Sequence, residues 1–414
     1  MATEQRDTII IGGGQAGLAM SYLLTQQGRD HVVLEKSQRI GESWRQRWDS
    51  FTLVTPNWQL KLPGFPYQGN DPDGFLSRDE VVAYLQDYAD LFAPPIRFGT
   101  EVISLEQNDE ENGYLVYTED QVYEAPNVVV AVGTFQMPDI PDFSQKVSDE
   151  ITQLHSSEYR NPADLPEGSV LVVGSGQSGC QMAQELNENG RQVYLCTGSA
   201  GRLPRRYRGK DGMWWAIKLG IVDETVDELD SPEERFDANP QISGKDGGQD
   251  INLHQFARDG IRLLGHLEDF EDGQAVLETD LYENLAAGDE QAKMFRQGVD
   301  KYIEKAGLDV PEEDVTEPQD GYDQDEIKRL DLKKAGITTI LWATGFDWDF
   351  SWIDLPLLDE YDYPIQERGI TEYPGLYFLG LHFMHKLKSG LFLGVGEDAE
   401  HIAQHIAKHT LVVH

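Results

Sequence analysis

Basic residues are scarce in this 414-residue chain: 34 Lys and Arg face 73 Asp and Glu, a formal net charge of −39. A surface this negative repels phosphate backbones and anionic lipid, which excludes nucleic acid and membrane surfaces as partners. Cysteine is rarer still. Cys180 and Cys196 are the only two, so no disulfide framework is available, and their separation excludes the CxxC-type pair of a flavin disulfide reductase. No run of about 18 apolar residues occurs, so no membrane-spanning helix is expected. The first residues lack the basic start and long apolar stretch of a secretory signal, and a cytoplasmic protein is expected. What remains is ordinary for a folded chain, with 39% apolar and 10% aromatic residues. Its length suits two domains, or one carried as an insertion in the other.

The pattern of the chain is a duplicated unit. An apolar run from Asp7 to Ile11 stops at Gly12-Gly13-Gly14-Gln15-Ala16-Gly17. Ala16, Ala19, Met20, Leu23 and Leu24 then follow at helical spacing up to Gly28, and His31 to Glu35 reads as a second buried strand. The same βαβ pattern returns at Val170 to Val173, with Gly174-Ser175-Gly176-Gln177-Ser178-Gly179, a helix ending at Gly190, and a strand from Gln192 to Cys196. The copies lie 162 positions apart (174 − 12). Between them the spacing predicts a helix from Arg78 to Tyr88 and a strand from Asn127 to Val132 closing on Gly133. From Gly209 to Lys334 the chain is polar, acidic and partly helical; this stretch shapes either an entrance or an oligomer contact, such as that of a homodimer. A third strand, Thr338 to Trp342, ends in Ala343-Thr344-Gly345, and the tail carries a strand from Leu376 to Leu379 and a closing helix to about Lys408.

A GxGxxG between a strand and an amphipathic helix has mechanical meaning. The first glycine makes the tight turn, the second admits a pyrophosphate to the backbone, and the third lets helix and strand pack closely. Gly12, Gly14 and Gly17, with Gln15 and Ala16 inside the turn, meet this pattern. Glu35 ends the next strand, where a carboxylate can accept both hydroxyls of an adenosine ribose, and Lys36 is grouped with the same site. At the equivalent offset from Gly174 stands Thr197 (174 + 23), which permits a 2′-phosphate where an acid would repel it. Arg202, Arg205 and Arg206 follow, with Arg208 and Lys210 and no acid among them, so a basic island able to fork onto a phosphate monoester favours NADPH over NADH. His401, His405 and His409 share a face of the last helix, but no HExxH pattern accompanies them, and no metal is expected.

The paired glycine motifs resemble the flavin-containing monooxygenases and their relatives, the single-component class B flavoprotein monooxygenases. So do the segment His155-Ser156-Ser157-Glu158-Tyr159-Arg160 and the strand end Ala343-Thr344-Gly345. The family signature opens with Phe-x-Gly, whereas Asp149 and Ile151 stand here, so only its second half is present. The resemblance implies an α/β fold of two dinucleotide-binding, Rossmann-like domains. Residues 1–165 and 336–414 would form the FAD domain and 166–335 an inserted NADPH domain. It also implies a monooxygenase that acts on a small-molecule substrate with molecular oxygen through a C4a-hydroperoxyflavin. A flavin reductase and a flavin-binding module without turnover are the alternatives. By the same resemblance Gly41, Ser43 and Trp44 either contact the flavin or form a turn with a core tryptophan, Val102 meets the adenine, and Gly133 and Gly345 mark the two chain crossings between domains. Gly380 would aim a helix N-terminus at the flavin. His155 and Tyr159 either line the crossing as catalytic residues or form a hydrogen-bonded structural pair. Asn57 is either a residue near the flavin or part of a turn.

Overall fold

The computed structural model describes residues 3–108 and 112–410. Its strands form where short β-branched runs can be covered on both faces: Thr8–Ile11, Asn127–Val130 and Ser169–Val173 are buried throughout. In one sheet Leu376–Phe378, Asn127–Val130, Thr8–Ile11, His31–Glu35 and Ile96–Phe98 lie side by side in that order, all parallel. In the other the order is Thr152–His155, Ile337–Trp342, Ser169–Val173, Val193–Cys196 and Arg262–Leu264, again all parallel. In both, the strand leading into a glycine turn has the next two strands on one side and a strand from far along the chain on the other. That reversal opens a crevice at the carboxyl ends, where α/β sheets bind their ligands.

The duplication extends to the helix ends. Gln15–Gln26 and Gln177–Glu188 are both 12 residues long. Gly28 and Gly190 (190 − 28 = 162) close them at φ of +68° and +79°. Arg29 and Arg191 donate their N–H groups back to the carbonyls of Leu24 and Leu186, both at 3.0 Å.

The second sheet draws on more of the chain than the expected insertion. The strands Thr152–His155 and Ile337–Trp342 lie outside the 166–335 insertion expected from the sequence, yet both pair within the second sheet. The second sheet therefore takes strands from both sides of that insertion, because an apolar run announces a strand but not its partner. The acidic segment is partly helical, as its pattern led one to expect. Leu281–Ala306 is one helix of 26 residues that buries Leu281, Leu285, Ala292, Phe295 and Val299 along one stripe. Its internal Gly288 faces the Arg202 side chain and Gly298 faces Leu219, both at ordinary van der Waals distance.

The stretch from Trp44 to Trp48 bridges the halves. Trp44 packs on the first core and stacks on Phe392 at 5.6 Å, whereas Trp48 is buried in the second core with Tyr159. Among the described residues no helix is long and apolar enough to cross a membrane.

Candidate active site

The two glycine turns are built alike. Gly12 and Gly174 take φ of +105° and +102°, a region costly for any residue with a Cβ. A Cβ on either would lie 2.5 Å from a carbonyl oxygen, that of Ala131 or of Ala343, on the strand across the crevice. A Cβ on Gly17 would run into the Gly12 carbonyl, and one on Gly179 into the Gly174 carbonyl. Gly14 and Gly176 precede the two helices in extended conformation, and neither helix has a side-chain cap. By contrast, the helix Arg78–Phe92, four residues longer than expected, carries a full capping box from Ser77 and Glu80. The first-turn N–H groups at both glycine turns therefore face the crevice, as pyrophosphate binding requires.

Glu35 stands against the first turn. Its carboxylate accepts the N–H groups of Gly13 at 2.6 Å and Ser37 at 2.7 Å. Thr100 donates to the Glu35 carbonyl at 2.9 Å, which brings the strand Val102–Gln107 alongside the ribose position; Lys36 is exposed nearby. From the other side, the ideal Cβ position of Gly380 lies 2.6 Å from the Ala16 Cβ, and Gln15 donates to the Gly390 carbonyl at 2.7 Å. The tail thereby delivers the helix Val395–Thr410 to the same crevice. Ser43 is exposed beside the half-buried Trp44, on a short helix that opens at Gly41. The Gln15 Oε1 and both polar atoms of Gln59 are buried without partners. Such orphans cost about 1–3 kcal/mol each, and they suit the hydrogen-bonding edges of a dinucleotide cofactor. Gln59 was not foreseen, since one glutamine between Trp58 and Leu60 carries no pattern.

At the second turn Gln177 donates to the Pro240 carbonyl, and Gln241 to the Ser175 carbonyl, so the 240–242 loop covers the turn's flank next to Ser178. Thr197, in the place of Glu35, turns inward and donates to Leu264. The crossings meet at Gly345, whose carbonyl accepts from Asp139 at 3.1 Å and from His155 Nε2 at 2.9 Å. The His155 Nδ1 accepts from the Ser157 N–H. The ring is thus neutral with its proton on Nε2, and burial keeps its pKa below the usual histidine value. At the other crossing Gly133 has φ of +78° and its carbonyl accepts from Gln136.

Several expected site residues are occupied elsewhere. Tyr159 is fully buried and donates to Glu185 at 2.7 Å; burial, then that carboxylate, push its pKa up. His155, equally buried, positions a carbonyl. Asn57 spends its amide within a turn, donating to Asp71 O and accepting from Leu76 N–H. The basic island is largely neutralised by acids distant in sequence. Arg202 pairs with Asp289 and Glu317, and Arg208 with Asp300. The Arg205 side chain is 1% exposed, paired with Asp211 and donating to the carbonyls of Val54 and Ser243. Arg202 and Arg205 are therefore internal struts, and Arg206, exposed and donating to the Gly247 carbonyl, is the member of that trio at the surface. Of the histidine trio, His405 is hydrogen-bonded with the Tyr377 hydroxyl, and the His409 side chain lies outside the described residues.

A structural Tyr159 makes a definite prediction. Tyr159→Phe leaves the buried Glu185 without its donor and costs about 1–3 kcal/mol of stability, with the rate of flavin reduction unchanged. A collapsed rate with unchanged urea unfolding would return Tyr159 to catalysis.

Two crevices of this kind in one chain define a two-dinucleotide flavoprotein oxidoreductase. Comparison with known proteins agrees. Residues 9–210 match the family model described as pyridine nucleotide-disulphide oxidoreductase. The chain is 38% identical over 405 residues to a CzcO-like oxidoreductase of Geobacillus kaustophilus, covering 97% of this chain and 99% of that one. It is 32% identical over 244 residues to the indole-3-pyruvate monooxygenase YUCCA4 of rice, about half of each chain. A flavin-containing monooxygenase structure from Stenotrophomonas maltophilia superposes with a TM-score of 0.68 at 19% identity, over 99% of this chain and 100% of that one. The chain belongs to the CzcO-like oxidoreductase family. It is an enzyme of the FAD- and pyridine-nucleotide-dependent kind. The disulphide half of the family model's description finds no redox pair here: Cys180 and Cys196 are buried, and burial raises both thiol pKa values.

Proposed function

We propose that this enzyme holds FAD on the first glycine turn and NADPH on the second, and uses the pair to insert one atom of dioxygen into a small organic molecule. One observation carries the reading. Two turns with matching backbone open at the switch points of two sheets whose four strands around the turn follow the same order, joined through crossings pinned at Gly345. Gly12, Gly14 and Gly17 would hold the FAD diphosphate and Glu35 its ribose. Gly174, Gly176 and Gly179 would hold that of NADPH, with Gln177 and Ser178 at the helix start and Arg206 at the adenosine end. FAD, when bound, accepts hydride from NADPH and passes electrons to dioxygen. The protein's part is to orient and to exclude water. Trp44 and Phe392 supply an apolar wall, and the N-terminus of Val395–Thr410 supplies positive dipole. The likeness to an indole-3-pyruvate monooxygenase supports oxygen insertion and makes organic carbonyl compounds the first substrates to try.

The test is the fate of the electrons. With a true substrate, NADPH consumption should match formation of a product carrying label from isotopically labelled dioxygen. NADPH consumption matched by hydrogen peroxide with every carbonyl, amine and thioether tried would instead mean a flavin reductase.

A further inference from the structure

Arg47 lies between Trp44, on the first core, and Trp48, in the second, and so belongs to the stretch that joins the two halves. Its backbone is fixed on both sides. Arg78 donates to its carbonyl at 3.1 Å, and two residues on Asp49 N–H donates to Arg160 O at 2.8 Å. Its guanidinium lies over the Phe135 ring, 4.4 Å from the centroid. Phe135 meets Phe346 edge-on at 5.1 Å, and Phe346 meets His155 edge-on at 4.8 Å. Arg47 therefore sits at the crossings, half-buried, with the exposed Phe135 ring under its guanidinium and no carboxylate within ion-pair distance among the described residues. Desolvation alone lowers its pKa to about 10, with no carboxylate opposing the shift.

Arg160, Arg191, Arg206 and Arg262 also have no carboxylate, but each donates to backbone carbonyls, which the Arg47 guanidinium does not among the described residues. Carboxylates outnumber basic residues about two to one, and Arg29, Arg78, Arg202, Arg205 and Arg208 each hold one or more of them. A cation withdrawn from water is costly without an anion, and an aromatic face offsets only part of that cost. A guanidinium fork in a cleft is suited to a carboxylate or a phosphate oxygen.

We infer that Arg47 is the anion-recognition point of the interdomain cleft and binds an oxyanion of the molecule that enters it. Building on the function proposed above, that oxyanion is either the diphosphate of NADPH or the carboxylate of an organic-acid substrate. Phe135 and Phe346 lie beside it as an apolar seat for the rest of the ligand.

The experiment compares wild-type holoenzyme with Arg47→Gln and Arg47→Lys, with FAD content as the control for folding. Binding of NADP⁺, phenylpyruvate and phenylacetone is read from the flavin spectrum. The last two share a ring and a ketone and differ in the carboxylate. If the diphosphate is the partner, Arg47→Gln weakens NADP⁺ at least about tenfold, and Arg47→Lys recovers part of the loss. If the carboxylate is the partner, NADP⁺ is unchanged and the wild-type preference for phenylpyruvate over phenylacetone disappears. Unchanged NADP⁺ binding, with no carboxylate preference in the wild type, overturns the inference. If neither variant retains FAD, phenylglyoxal modification of the wild type decides. Protection of Arg47 by NADP⁺ or phenylpyruvate supports the inference, and equal modification with and without them overturns it. Bleaching of the wild-type flavin by NADPH tests the underlying function separately.

Discussion

Gly17→Ala should yield a colourless protein, whereas Gly179→Ala should purify yellow and be nearly blind to NADPH. The added methyl is the same, and it meets the same obstacle in both places, the carbonyl at the start of its own turn. Each carbonyl belongs to a tightly turned glycine at positive φ, packed so closely beside Ala131 or Ala343 that not even a Cβ would fit, so it has little room to retreat. Helix and strand must separate, and the N–H groups that face the diphosphate move with them. Overpacking of this kind costs about 1–3 kcal/mol, so Gly179→Ala should leave the first domain folded and its flavin bound. Reduction by dithionite should remain normal, while reduction by NADPH falls at least about a hundredfold, the scale expected for a misplacement of about 1 Å. Flavin loss in both variants, or in neither, would mean that the turns do not serve separate ligands.

Arg205→Ala should be the most destabilising single truncation in the basic segment, and its effect should not distinguish NADPH from NADH. The Arg205 guanidinium is 1% exposed, and removing it leaves Asp211 buried without its cation. It also removes the donor to Val54 O, a link between the second domain and the strap after Trp48, and the stacking on Phe75. Breaking a buried pair from one side costs about 3–5 kcal/mol. Urea unfolding should shift to lower concentration by that amount, and whatever activity survives should fall equally with both coenzymes. A stable variant with a raised requirement for NADPH alone would restore Arg205 as a reader of the 2′-phosphate.

That residue illustrates how far the sequence is legible. The glycine turns and their strands and helices could be read because the chemistry is local: a tight turn, a backbone approach and a helix start lie within about six consecutive residues. Arg205 could not be read correctly. Its partner Asp211 stands just past the run of bases, and that run looks like a phosphate site until Asp289, Asp300 and Glu317 arrive at Arg202 and Arg208 from a helix and loop some 90 to 115 positions away. The extent of the second sheet was hidden for the same reason, since pairing of Ile337–Trp342 with Ser169–Val173 is a contact between distant segments. Interior glycines at 288 and 298 disguised the long helix, although Leu281, Leu285, Ala292, Phe295 and Val299 keep its spacing. Arg47 and Gln59 matter through partners they lack, and no motif records a missing partner.

Anaerobic mixing of the purified protein with NADPH tests the central claim most directly. The account predicts a yellow protein carrying one FAD per chain, whose visible bands bleach when NADPH is added and return when air is admitted. A protein that stays colourless after incubation with FAD, or a bound flavin that NADPH cannot bleach while dithionite can, would contradict it.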